Sequence, residues 1–270
     1  MTGRDPHPLP SALDRSEELS GRLAGKRPAV FLDYDGTLTP IVSRPELAVL
    51  SDEMRSSLER LADACTVAIV SGRDRADVEG LVQVGGLVYA GSHGFDIAGP
   101  GGLSLQHQEG SKYGAVLARA ADEIEERVGL IDGILVERKK YALAVHYRLV
   151  ADERVSEIDA AVEEVAAGHS ELRRTGGKKV FELRPRLDWD KGKAVLWLLE
   201  ALDLDHPDVV PFYLGDDETD EDAFRALAER GVGVLVAEQP GETSAHYLLR
   251  DPGEARVFLE RLTSIVERGG

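Results

Sequence analysis

The stretch Ala29-Val30-Phe31-Leu32-Asp33-Tyr34-Asp35-Gly36-Thr37-Leu38-Thr39 decides how the chain is read. Its first four residues are a short apolar run with β-branched and aromatic members, the pattern of a buried strand. The run ends in two acids, a glycine and a threonine. Carboxylates at i and i+2 after a buried strand sit on a tight loop, where the second can fold back toward the first. Gly36 supplies the backbone freedom for that bend. In open α/β sheets ligands bind beyond the carboxyl ends of the strands, so the position suits chemistry as well as a turn. Taken alone, the stretch is equally an ordinary turn. A calcium loop counted from Asp33 needs Gly at its sixth place and Glu at its twelfth; Leu38 and Arg44 stand there, and that reading fails.

Outward from this loop, residues 1–27 read as a tail with Pro6, Pro8 and Pro10 followed by a short helix. Ser51 is expected to cap a helix that carries acids in its first turn and Met54, Leu58 and Leu61 on one face. A buried strand over 66–70 runs into Ser71-Gly72-Arg73, and a helix is expected from Asp74. A third strand over 87–90 ends at Gly91-Ser92-His93-Gly94. Strands alternating with helices at this spacing predict a parallel sheet with crossover helices. Gly99-Pro100-Gly101-Gly102 interrupts the pattern and is expected to be a hinge. Beyond it the spacing predicts a helix over 111–128, strands over 134–137 and 141–147, and a helix over 152–167. Residues 171–174, a Gly176-Gly177 turn and a strand over 179–183 follow as a hairpin. Alternation returns near Pro185, with helices over 191–202, 221–228 and 253–266 and strands over 209–214, 232–236 and 247–249. The expected organisation is an α/β parallel-sheet core, formed by 28–99 and 186–270, with a smaller α+β domain inserted at 100–185.

The 270 residues are 43% hydrophobic and 30% charged, as in a globular soluble protein. Their 49 acids and 32 basic residues give a net charge of −17, which disfavours nucleic acid as a partner. No apolar run approaches a membrane span, and the first residues lack a signal-peptide pattern. The lone Cys65 excludes an intrachain disulfide; beside Val67-Ala68-Ile69-Val70 it reads as a packed, inert thiol. A cytoplasmic location is the expectation. His107, His169, His206 and His246 receive no functional reading.

Four pieces stand at strand ends or helix starts: Asp33-x-Asp35-Gly36-Thr37, Ser71-Gly72-Arg73, Lys191-Gly192, and Gly215-Asp216-Asp217-x-x-Asp220. A calcium loop counted from Asp216 also fails, because Glu221 holds its sixth place. Carboxylates converging on one point repel one another unless a hard cation joins them. Magnesium, with few protein carboxylates, several waters and a substrate phosphate, suits such a site. In this order the four pieces resemble the haloacid-dehalogenase superfamily of phosphotransferases. The resemblance implies a Rossmann-like core and catalysis through an aspartyl-phosphate. By it Asp33 is the nucleophile, and Asp35 protonates the leaving oxygen and later activates water. Thr37, Ser71 and Lys191 hold phosphoryl oxygens. Mg2+ is bound by Asp33, the Asp35 carbonyl and Asp216, with Asp217 and Asp220 in support. Lys193 is a neighbouring rival for the lysine role, disfavoured because the family's lysine precedes a glycine at a helix start.

Asp33 and Ser71 are 38 positions apart, too few for a helical cap, whereas the 120 positions from Ser71 to Lys191 hold the α+β insert. In this superfamily a cap at that point, of the type called C2B, accompanies small-molecule phosphatases. Finer features resemble the trehalose-6-phosphate phosphatase family. They are Gly91-Ser92-His93-Gly94, Val136-Glu137-x-Lys139, Val145-His146-Tyr147-Arg148, the run from Val180 to Pro185, Trp189 to Ala194, and Tyr213 to Phe224. The resemblance implies a small sugar-phosphate substrate, a place in trehalose biosynthesis and functional coupling to a trehalose-phosphate synthase. It places Glu137, Lys139, His146, Arg148 and Glu182 on the sugar from the cap, and Gly72, Arg73, His93 and Gly94 beside the substrate from the core. Hydroxyl-rich sugars need carboxylates, cations and imidazoles at fixed positions, because a site built to hydrogen-bond hydroxyls discriminates well. Two other readings stand beside this one. One is a phosphatase of another phosphorylated disaccharide or pseudo-disaccharide. The other is a non-catalytic sugar-phosphate sensor or synthase partner, against which the intact Asp33, Asp35, Lys191 and Asp216 argue.

Overall fold

The computed structural model describes residues 9–106 and 112–269. Pro6 and Pro8 of the expected tail, His107, and the Ser111 start of the expected cap helix lie outside the described residues. A short helix α1 (Ser16–Arg22) leads into β1 (Arg27–Leu32), followed by α2 (Asp52–Ala64), β2 (Thr66–Val70), α3 (Arg75–Val82) and β3 (Val88–Gly91). Ser51 caps α2, its hydroxyl accepting from the Met54 N–H at 3.1 Å. Two further strands, β4 (Asp96–Ala98) and β5 (Ser104–Gln106), pair antiparallel onto β3 and onto each other. Then come α4 (Gly114–Val128), β6 (Leu135–Arg138), β7 (Leu143–His146), α5 (Asp152–Gly168), β8 (Leu172–Gly177) and β9 (Val180–Pro185). The chain closes with α6 (Lys191–Ala201), β10 (Val209–Gly215), α7 (Glu221–Leu227), β11 (Val232–Val236), β12 (Tyr247–Leu249) and α8 (Pro252–Gly269).

The core sheet runs β12-β11-β10-β1-β2-β3-β4-β5, parallel from β12 to β3. Side chains alternate across a strand, so an apolar run buried on both faces serves two helix layers. Val30 and Leu32 of β1 join Leu58 and Leu61 of α2 and Phe258 and Leu259 of α8 in one cluster. Ala29 and Phe31 join Val195 and Leu198 of α6 and Phe224 of α7 in the other. β1 lies between β10 and β2, where the winding of the sheet reverses, and this crevice at the carboxyl ends is where such sheets bind ligands.

The second sheet is antiparallel, in the order β6-β7-β9-β8. Leu143, Val145 and Leu183 turn one face toward α4 and α5, against Ile124, Ile158 and Val162. The opposite face carries a cross-strand row of Glu137, Ala144, Glu182 and Thr175. The fold is thus a doubly wound core with an inserted α+β cap.

Two expectations are corrected. Gly99 to Gly102 joins β4 to β5 inside the core sheet and is no hinge, so a cap boundary at residue 100 would cut the core. The hairpin turn falls at Lys178 and Lys179, with Lys179 at φ 65°, and Gly176 and Gly177 belong to β8. Among the described residues no helix is long and apolar enough to cross a membrane.

Leu58 is fully buried between the sheet and α8. Leu58→Ala is expected to cost about 3 kcal/mol of stability, read as a lower urea midpoint.

Candidate active site

The ladder between β1 and β10 continues one step past β1, where the Asp33 N–H donates to Leu214 O at 2.9 Å. The loop then closes on itself: Gly36 N–H donates to Thr39 O at 2.8 Å, and Leu38 N–H to Tyr34 O at 2.9 Å. Tyr34 pins it from below, its hydroxyl donating to Ala48 O at 2.7 Å. Gly36 has φ +86°, and a Cβ there would lie 2.0 Å from Asp216 Oδ2. Only glycine satisfies both the turn and the approach of the two loops.

Lys191, the first residue of α6, is 3% exposed. Its Nζ donates to Asp33 Oδ1 at 2.7 Å and to Asp220 Oδ1 at 2.6 Å. Asp220 also accepts from the Tyr213 hydroxyl at 2.6 Å and from the Asp216 and Asp217 N–H groups at 2.9 and 3.1 Å. It thereby shapes the loop after β10 from behind. Lys193 pairs with Asp188 at the surface and does not reach these carboxylates.

Carboxylate oxygens of Asp33, Asp216 and Asp220 lie within 4.8 Å of one another. Burial pushes Asp33 well above the usual carboxylate range; Lys191 opposes this, while Asp220 and Asp216 add to it. Burial and the Asp220 charge raise Asp216 to about 7 against the pull of Lys178. Burial alone would lower Lys191, but Asp220 and Asp33 outweigh it and hold it well above its ordinary range. The cluster is short of positive charge, and its oxygen-only donors suit a hard divalent cation.

Arg73 reaches across to Asp35 with a two-pronged pair, Nε to Oδ2 at 2.7 Å and Nη2 to Oδ1 at 2.9 Å. It also donates to Asp77 at 2.9 Å and Pro45 O at 2.7 Å, and lies 5.4 Å over the Tyr34 ring. The buried Ser71 Oγ accepts from Arg73 N–H at 3.2 Å, and the Thr37 hydroxyl is buried with no hydrogen-bond partner. Neither side chain borders the cavity.

The cap face roofs this floor, and Asp33, Asp35, Gly72, Arg73, Lys191, Asp216 and Asp217 share a cavity with Glu137, Lys139, His146, Arg148 and Glu182. Glu137 pairs with His146 at 2.8 Å. Lys139 Nζ donates to Glu182 Oε1 and to Gly72 O, both at 3.2 Å, so it touches cap and core together. Glu182 also pairs with Arg184 and lies 3.3 Å from His93 Nε2. Burial, seconded by Arg184, lowers His93 to about 3. His93 enters the site from a loop in which Ser92, His93 and Gly94 all have positive φ. A Cβ on Gly72 would lie 2.8 Å from the His93 ring.

One expected contact differs. Gly94 does not border the cavity; with φ +89° it packs on Ala194, where a Cβ would come within 2.3 Å. Arg148 lines the cavity and donates to Lys178 O. Sequence reading also missed Lys178, Arg184 and Tyr213. Lys178 reaches Asp216 from the cap turn. Arg184 lies two residues after Glu182 on β9, so strand alternation would have found it. Tyr213 is one buried aromatic among several and carried no signal.

A cap over a carboxylate-bearing loop, at the switch point of a doubly wound sheet, is the plan of phosphohydrolases in the haloacid-dehalogenase superfamily. The trehalose-phosphatase family matches residues 31–252, and the chain belongs to that family and is a phosphatase. A relative from Oryza sativa subsp. japonica, "Probable trehalose-phosphate phosphatase 2", is 44% identical over 94% of this chain and 73% of its own. The "Trehalose-phosphate phosphatase" of Mycobacterium avium (strain 104) is 45% identical over 95% of this chain and 68% of its own. The C-terminal domain of C. albicans trehalose-6-phosphate phosphatase has the same fold, with a TM-score of 0.81 at 24% identity, covering 96% of this chain and 99% of that one.

Gly36→Ala is expected to reduce turnover by about 10²-fold, because it drives the Asp33 and Asp216 loops apart while the core strands remain paired; circular dichroism checks the second half. His93 is expected to stay neutral from about pH 8 to about pH 4, its ring proton shifts flat by NMR. A midpoint near the ordinary 6.5 would mean the ring is not buried as described.

Proposed function

We propose that the protein hydrolyses trehalose 6-phosphate to trehalose and phosphate, with Mg2+, through an aspartyl-phosphate on Asp33. The observation that supports this is a charged cap face of Glu137, Lys139 and Glu182 lining one cavity with Asp33, in a chain 44% identical to a probable trehalose-phosphate phosphatase along 94% of its length.

Asp33 attacks phosphorus in line with the sugar oxygen; the new Asp33 O–P bond forms as the phosphorus–sugar oxygen bond breaks. Asp35 delivers a proton to the departing oxygen. It then takes one from a water that attacks phosphorus, releasing phosphate and restoring the Asp33 carboxylate. Arg73 occupies both Asp35 oxygens, so one of its bonds opens whenever Asp35 carries the proton. Lys191 offsets negative charge on Asp33 and on the phosphoryl group; the Thr37 and Ser71 hydroxyls, which do not border the cavity, would reach phosphoryl oxygens once their loops shift toward a bound phosphate. Asp33, Asp216 and the Asp35 carbonyl, with Asp217 and Asp220 in support, would hold Mg2+, whose charge would offset that of the phosphoryl oxygens. The cap residues Glu137, Lys139, His146, Arg148 and Glu182 hold the sugar hydroxyls, with His93 accepting or donating as a neutral imidazole. Gly72 and Arg73 border the phosphate end.

The activity is assigned to the cytoplasm, downstream of a synthase that makes the sugar phosphate. The lone thiol, Cys65, accords with a reducing compartment; burial raises it to about 12, and it takes no part in the chemistry.

The test is phosphate release from trehalose 6-phosphate, sucrose 6-phosphate, glucose 6-phosphate and an aryl phosphate, with Mg2+ and with chelator. Preference for trehalose 6-phosphate that vanishes with chelator is expected; preference for another sugar phosphate overturns the substrate assignment. Asp33→Asn is expected to lower release by about 10³-fold or more with the fold intact, and near wild-type turnover without deamidation would remove Asp33 as nucleophile.

A further inference from the structure

The cap meets the core a second time, away from the reacting carboxylates, through the turn between β6 and β7. The Lys139 N–H closes this turn on Ala142 O at 2.9 Å. At its tip the Lys140 N–H donates to the two oxygens of Asp74 at 3.0 and 3.3 Å, and Lys140 Nζ donates to Asp96 Oδ2 at 3.0 Å. The next residue, Tyr141, is 2% exposed and stacks on Phe95 of the core with ring centroids 5.6 Å apart. The core partners are themselves braced. Asp96 is buried on the β4 edge and held by Arg75 Nε at 3.0 Å, and Asp74 accepts from Ser92 Oγ at 2.7 Å.

Lys139, immediately before these anchors, is the residue that reaches both Glu182 and Gly72 O. Glu137 lies two residues earlier on the same strand. A turn tied at its tip by an ion pair, a backbone hydrogen bond and a stacked ring cannot pivot without breaking all three. A displacement of about 1 Å takes a polar group out of hydrogen-bond range of a sugar hydroxyl, so a loosened turn weakens binding of the sugar.

We propose that Lys140, Asp74 and Asp96 are positioning residues that set Lys139 and Glu137 above Asp33, and thereby make the enzyme select sugar phosphates over small phosphate esters. The proposal rests on the sugar-phosphate reading above. None of the three residues lines the cavity, so their effect passes through the cap turn rather than through contact with substrate.

The experiment compares Lys140→Met, Lys140→Arg and Asp96→Asn with the wild type on trehalose 6-phosphate and on a small aryl phosphate, which offers Lys139 no sugar. Lys140→Met is expected to raise KM for the sugar phosphate about tenfold, with kcat and aryl-phosphate turnover within about twofold of wild type. Lys140→Arg should recover most of the KM, and Asp96→Asn, which keeps the shape of the pair, should reproduce the loss. An unchanged KM in both Lys140→Met and Asp96→Asn would overturn the proposal, as would equal losses on both substrates. Should the wild type prefer another sugar phosphate, the substrate assignment falls alone, and the same variants read the positioning effect on that ester.

Discussion

The site depends on one buried ammonium. Lys191 stands between Asp33 on the central strand's loop and Asp220 behind the neighbouring one, with almost no access to water. A charge withdrawn from water this far persists only if it is paired and hydrogen-bonded, and removing either carboxylate would leave it a single partner. The pairing ties together three elements distant in sequence: the β1 loop, the start of α6 and the loop after β10. Yet Lys191 and, from the cap turn, Lys178 are two cations for three clustered carboxylates. Asp33 and Asp216 are both pushed toward protonation, and a hard cation would make up the deficit of positive charge, which an anionic substrate deepens.

Close packing gives this charge cluster its geometry. Gly36 lets the Asp33 loop lie against the Asp216 carboxylate, and Gly215 does the same for Asp220, where a Cβ would lie 2.3 Å from the carboxyl carbon. Gly72 leaves room for the His93 ring, which comes to Glu182 from a loop of three successive left-handed residues. Backbone strain of this kind persists where surrounding contacts hold it, and here two hydrogen bonds do so: Ser92 N–H to Arg73 O at 2.6 Å and His93 N–H to Ser71 O at 2.8 Å. The loops after β2 and β3 are thereby locked to each other before the cap reaches them.

The cap contributes by register. Antiparallel pairing sets Glu137, Ala144 and Glu182 side by side on one face, with the small Ala144 leaving space between two acids. Lys139 and Arg184 offset those acids, so the roof over the carboxylate floor carries both signs of charge. A polar surface of mixed sign, fully hydrogen-bonded and fixed in place, is suited to sugar hydroxyls, which donate and accept equally.

Much of this was legible in the chain itself. The four motifs follow apolar runs or open helices, and period-two and period-3.6 patterning places such positions at strand ends and helix starts whatever the details of packing. The acids converging there pointed to a hard cation, and the class of chemistry came from the resemblance of the four motifs, in that order, to a known superfamily. Other features are long-range and leave no local mark. Residues around Gly99 read as a hinge because glycine breaks a pattern, but whether β4 and β5 join the core sheet depends on the free edge of β3. Arg73 was placed near substrate, and its grip on Asp35 arises from two loops 38 positions apart. Lys178 meets Asp216 only because the hairpin turns one step later than its glycines suggest. The amino-acid sequence determined which groups are present and which end of the sheet they occupy, since strand periodicity and turn residues act over a few neighbours. Tertiary structure alone decided which charges pair, which carboxylate is short of a proton partner and where the cap turn docks, because these are set by distances between segments that the chain brings together only on folding.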